Sequence, residues 1–140
     1  MSAGRGIWHS EKNPGVEPVH FVQMWVLPDT AGIDPSYQQL DIGAELDRGG
    51  LVPIASGRGH DAAITIAQRD AVLWGGRLAA GEVVTVPDEG HVHLFVALGS
   101  GTLAGAGDLA EGDAVRLTAA GDPTFTAGPD GAEVLIWATA

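Results

Sequence analysis

The sequence predicts an all-β fold, a barrel or sandwich, on three observations. Short apolar runs recur along the chain, most regularly after Leu51. Clusters of Gly, Asp, Pro and Ser separate them, and such residues terminate strands by turn chemistry. Glycine is frequent, at 21 of 140 residues. Nine short strands are predicted, over 51–55, 62–67, 72–79, 83–86, 91–98, 101–105, 113–117, 123–127 and 132–138. The predicted separators include Ser56–Gly59, Gly99–Gly101, Gly105–Asp108, Glu111–Asp113 and Gly128–Gly131. Runs this short, with turns this regular, belong to a sandwich or barrel rather than to an α/β sheet.

Ahead of these runs the pattern is less regular. Residues 12–18 hold two Pro and a Gly and predict a turn. Residues 19–27 alternate in part and are rich in Val, Phe and Trp, which predicts a strand returning from an extended stretch over 7–11. Pro28 to Pro35 reads as a connector, and Tyr37 to Asp47 has room for a short helical turn. Trp8, Trp25, Trp74 and Trp137 are candidates for the core or the barrel lining, because burying an indole contributes much of a small barrel's stability.

Length and charge bound the function. One hundred and forty residues suffice for one domain with a real core. Cysteine is absent, so neither a disulfide nor a thiolate site exists, in keeping with a reducing cytoplasm. No apolar run is long enough to span a membrane, and the first residues lack a secretory signal pattern. The net charge of −11 repels phosphate backbones and argues against direct nucleic-acid binding. A G-x-S-x-G elbow has no strand–turn–helix context here, and Gly57-x-Gly59 lacks the helix that a phosphate site requires.

The chemistry concentrates in the first eleven residues. His9 and Glu11 stand two apart, so in an extended backbone both side chains leave one face. An imidazole and a carboxylate on one face make half of a four-ligand site for a divalent transition metal. By residue type alone, a surface strand with a polar face explains the pair as well. His91 and His93 have the same spacing, while His20 and His60 stand singly.

Three blocks of sequence carry a resemblance. They are Gly4-Arg5-Gly6-Ile7-Trp8-His9-Ser10-Glu11, then Val19-His20-Phe21-Val22-Gln23-Met24-Trp25-Val26-Leu27-Pro28, then Pro35-Ser36-Tyr37-Gln38-Gln39. Their order and spacing closely resemble the pirin family, whose chains carry two cupin barrels. The resemblance is specific over residues 1–40 and diffuse beyond. It implies a cupin-type double-stranded β-helix, or jelly-roll barrel, over 41–140, preceded at 1–40 by extra strands from the end of a truncated first cupin.

The same resemblance implies a site. Pirins hold a divalent metal with three His and one Glu in the first barrel, and His9 and Glu11 match the closing pair. The upstream H-x-H pair has no match in these residues. Iron is the expected metal, with nickel, manganese, copper or zinc as alternatives, bound weakly or not at all by this chain. Some bacterial pirins act as quercetin 2,3-dioxygenases. There the metal serves as Lewis acid and electron conduit, and Glu11 would be both ligand and the base that takes the flavonol proton. With half of its ligands missing, the chain is expected to be impaired in that reaction. Other members act through protein partners, so the alternative is a metal-free cupin scaffold that binds a protein or a small ligand. Strands left without first-barrel neighbours also suggest a homodimer.

His91 and His93 fit the cupin H-x-H register poorly. With Gly99 as the turn glycine of that pattern, the His positions fall near Thr85 and Pro87, and the Glu position near Val92. Alternation then sends His91 and His93 to the face opposite Val92. With Gly105 instead, His91 and His93 fall correctly, but Leu98 stands where the Glu belongs, and residues 118–128 hold no later His. The second barrel is therefore expected to be metal-free, with a new metal site at His91 and His93 as the weaker alternative. His20 matches a family position that is not a ligand, and reads as packing or as support for one. His60, in a Gly-rich loop, reads as solvated.

Overall fold

The computed structural model describes residues 1–140, and its regular structure is almost entirely β. One short helix, α1 (Gly43–Leu46), precedes eight strands: β1 (Val52–Ser56), β2 (Ile64–Thr65), β3 (Ala71–Leu78), β4 (Val83–Thr85), β5 (His91–Leu103), β6 (Gly107–Ala110), β7 (Ala114–Thr118) and β8 (Thr124–Thr139). They pair in the order β2-β1-β3-β8-β5-β6, with β4 also on β8 and β7 also on β5. All of these pairings are antiparallel except β1 with β2.

Two long strands organise the fold. β5 and β8 run antiparallel from His91↔Thr139 to Leu103↔Phe125. Their register slips between Val96 and Leu98 and again between Gly99 and Gly101. Such bulges bend a strand, so each serves two parts of the sheet. The first half of β5 pairs β7 and the second half pairs β6, while β8 pairs β4 early and β3 late. Gly99 stands at the bend with φ +74°, and a Cβ there would lie 2.2 Å from the Gly131 carbonyl oxygen. Only glycine fits that close approach.

Strand alternation decides what is inside. Val92, Leu94 and Val96 of β5, Ala132, Val134, Ile136 and Ala138 of β8, and Leu78 of β3 converge with Phe125, Val84 and Val86 in one core. Phe125, Leu94, Leu103 and Ile136 are fully buried. Burying such side chains contributes roughly 1.5–3 kcal/mol each. Val115, Leu117, Leu109 and Trp74 cover the core's margins.

The structure corrects several expectations. The runs over 91–98 and 101–105 form one strand, as do those over 123–127 and 132–138, because Gly99–Gly101 and Gly128–Gly131 make bulges and not turns. Gly107 and Asp108, read as part of a turn, begin β6. The run over 62–67 is regular only at 64–65.

The extra strands predicted over 7–11 and 19–27 are not formed. A strand needs a neighbour to take its N–H and C=O groups, and no other segment lies in register with these. The first forty residues hold a single two-residue bridge, Ser2↔Ser36. Trp8 and Trp25 likewise depart from the expected core, at 102% and 87% exposure, because the segment that carries them lies on the barrel without a second layer above it. Trp74 packs against the core as expected, whereas Trp137 stands on the outward face of β8, each half-buried.

Candidate functional site

The N-terminal stretch owes its shape to a glycine turn and a few ties. Gly4 takes φ +54° with a Cβ position 2.1 Å from the Ile33 carbonyl oxygen. The Arg5 N–H donates to that same carbonyl at 3.0 Å. Farther along, the Asp29 N–H donates to the Ala67 carbonyl at 2.8 Å, and the Arg69 N–H donates to Asp29 Oδ2 at 2.8 Å. Gln38 Oε1 accepts from the Thr65 N–H at 2.6 Å. These contacts hold residues 1–40 against the barrel at a few points.

His9 and Glu11 lie near each other, although the strand expected to carry them is not formed. His9 Nδ1 lies 3.8 Å from Glu11 Oε1, with the side chains 40% and 56% exposed. That is an ion-pair distance, too long for a direct hydrogen bond. No third His, Cys, Asp or Glu completes a metal-binding group with them. The donors fit a transition ion in kind, nitrogen and oxygen, but two of them do not make a closed site. A metal step cannot be built on this pair alone.

The other three histidine sites stand apart. His20 lines a hollow of about 210 Å³ with Phe21 and Val22, set against Gly75, Arg77 and Glu133. His60 is exposed, as its loop suggests, yet it is not free. Its Nδ1 lies 2.9 Å from Ser56 Oγ, and its ring meets Trp74 edge-on at 5.3 Å. Ser56 is 3% exposed, and its Oγ also accepts from the Arg58 N–H. The hydroxyl is thus a buried brace for the loop. Beside it the Arg58 guanidinium pairs with Glu89 and donates to the Asp70 carbonyl at 2.7 Å. The hydrogen bond to Arg58 holds the Glu89 carboxyl below the usual glutamate range. The same bond raises the Arg58 pKa.

His91 and His93 alternate with the buried Val92, so they stand on the outer face of β5, as the register argument expected. They line a groove of about 300 Å³ under Trp25 and Val26, beside Arg116 and Trp137. Sequence reasoning passed over Arg116. Its one signal is the alternation Val115–Arg116–Leu117, which directs the arginine away from the core.

Comparison with known proteins places this geometry. Residues 53–137 match the family model described as the quercetinase C-terminal cupin domain. A Mycobacterium tuberculosis protein, named a candidate quercetin 2,3-dioxygenase, is 56% identical over 139 residues, which are 98% of this chain and 57% of that protein. A pirin-like protein of Caulobacter vibrioides is 35% identical over 122 residues, 85% of this chain and 48% of its own. The chain thus spans about half the length of the curated relatives it matches. Among solved structures, the crystal structure of YhhW from Escherichia coli superposes with a TM-score of 0.70 at 23% identity, covering 83% of this chain and 48% of that one. YhhW has also been solved as a bacterial pirin in complex with nickel(II), with a TM-score of 0.68 at 22% identity over 82% of this chain and 48% of that one. The barrel, the glycine-bent strand pair and the matched residues agree: this chain belongs to the pirin family and carries its C-terminal cupin domain.

Proposed function

We propose that the chain belongs to a quercetin 2,3-dioxygenase-like, metal-dependent oxygenation system, in which His9 and Glu11 supply two of the metal's ligands. The carrying observation is the His9–Glu11 pair, donor atoms 3.8 Å apart within a stretch that resembles the pirin H-S-E block. In this reading residues 1–40 are the end of a first cupin and 41–140 the second. The remaining ligands lie outside these residues, and the metal is a divalent transition ion, as in the nickel-bound relative. Glu11, more than half exposed, is free to take the proton of a flavonol hydroxyl.

Two donors bind a divalent ion feebly, because water fills the remaining positions. Titrating the 140-residue protein with nickel(II) is therefore expected to show weak binding that His9→Ala and Glu11→Gln abolish. Quercetin consumption is expected to be negligible for this chain by itself. Nickel uptake indifferent to both substitutions would overturn the reading, and robust turnover would overturn the placing of the remaining ligands outside these residues.

A second reading has its own observation. Trp8, Phe21, Trp25 and Leu27 are exposed along one N-terminal segment, which suits a metal-free scaffold that meets another protein surface. Elemental analysis after loading with nickel(II) separates the two: bound metal that His9→Ala removes favours oxygenation, and no uptake even at saturating nickel favours the scaffold.

A further inference from the structure

The groove on the outer face of the barrel holds Arg116, His91 and His93, which neither reading uses. Strand register builds its floor. His93 sits between Arg116 of β7 on one side and Trp137 of β8 on the other. His91 sits in the next outward row, between Thr118 and Thr139. Alternation keeps Val92 and Leu94 in the core, so both rows face outward. Trp25 and Val26 close one side, leaving a space of about 300 Å³. That is the lower end of the range for small-molecule sites, about 300–1,000 Å³.

Arg116 is the unusual member. Of the six arginines, Arg5, Arg58, Arg69 and Arg77 each have a carboxylate within 4.0 Å. Arg48 and Arg116 have none, although the chain carries a net charge of −11, and of these two only Arg116 lines the groove. A guanidinium left unpaired in so acidic a protein is open to an anion from outside, in a fork geometry that suits a carboxylate. The indoles of Trp25 and Trp137 offer ring surface, and Trp25, 87% exposed, would be covered by an occupant. The Trp137 N–H is already engaged by Met24 Sδ at 3.2 Å, which leaves its ring as the contact. The two imidazoles are not joined by any acidic or thiol side chain into a metal-binding group.

We propose that this groove binds a planar aromatic carboxylate. The ring lies against Trp25 and Trp137, the carboxylate meets Arg116, and His93 and His91 supply further hydrogen bonds. The site involves neither His9 nor Glu11, so it stands or falls separately from metal-dependent oxygenation.

The test uses 2-naphthoate and its uncharged analogue 2-naphthamide, followed by histidine side-chain NMR on the 140-residue protein. The acid is expected to shift the His91 and His93 imidazole signals saturably while leaving His9 and His60 in place. The amide should bind roughly tenfold more weakly, the worth of one charge-assisted contact. Arg116→Gln should erase that preference, and Trp25→Ala should weaken both ligands alike. Arg116 and Trp25 are exposed, so both variants should melt as the parent does. Absence of saturable shifts at His91 and His93 would overturn the proposal. So would equal affinity for acid and amide, or a preference for the acid that survives Arg116→Gln.

Discussion

The indole N–H of Trp137, on the last strand, donates to the thioether sulfur of Met24 in the N-terminal segment, 3.2 Å away. This contact joins the segment that has no regular structure to the strand that has the most. It lies beside the groove formed by Trp25, His91 and His93. Few other ties hold residues 19–27, so this one has a disproportionate effect on where they lie.

Met24→Ala is therefore expected to release the segment without harming the barrel. A hydrogen bond to a weak thioether acceptor contributes on the order of 0.5–1 kcal/mol. Hydrogen exchange and limited proteolysis should both rise over residues 19–27, while the melting temperature moves little. A cooperative loss of the whole fold would mean that the segment belongs to the core.

Gly99→Ala should be costly despite adding one methyl. The residue sits at φ +74°, and the new Cβ would meet the Gly131 carbonyl 2.2 Å away. The obstacle is backbone, so no side chain can turn aside. Left-handed strain and displacement of β8 together should destabilise by about 2–3 kcal/mol, read by urea unfolding. A loss below half of that would show that the bend tolerates a side chain.

The Arg58–Glu89 pair predicts an acid-sensitive contribution. Arg58 holds the Glu89 carboxyl below its ordinary range, so the folded pKa lies below the unfolded value of about 4.3. The pair's contribution is full above that unfolded value and is lost as pH falls through the lower folded one. Arg58 stays charged throughout, since its own pKa is raised. Glu89→Gln should cost about 1 kcal/mol at neutral pH, and the gap from the parent should close in acid. A gap of equal size at pH 3 and pH 7 would remove the pair as its cause.

Much of the barrel was legible because buried strands alternate. Val92, Leu94 and Val96 announce an inner face, and they place His91 and His93 outside it. What the alternation hides is continuity. Gly99-Ser100-Gly101 satisfies a turn and a bulge equally well, and only the pairing of Gly101 with Ala127 shows a bulge. The closeness of His9 to Glu11 was legible because it is local. The grouping of Arg116, His93 and Trp137 was not, because it depends on the register of three strands distant in sequence. The N-terminal strands failed for a related reason. Val19 to Leu27 has strand composition, but composition supplies no partner for the backbone.

Those unpaired residues lead to a last expectation, self-association. Trp8 stands at 102% exposure, Phe21 at 64% and Leu27 at 84%, on a segment with free backbone groups. A closed twofold dimer would bury these side chains against the same segment of a second copy. Size-exclusion chromatography with light scattering at micromolar concentration should give a dimer. Replacing Trp8 and Phe21 together by Glu should give a monomer that keeps the fold, because neither side chain reaches the core, with a melting temperature that no longer depends on concentration. Trp25 stays in place in that variant, so occupancy of the groove can be followed independently. A parent protein that runs as a monomer across the whole concentration range would rule this interface out.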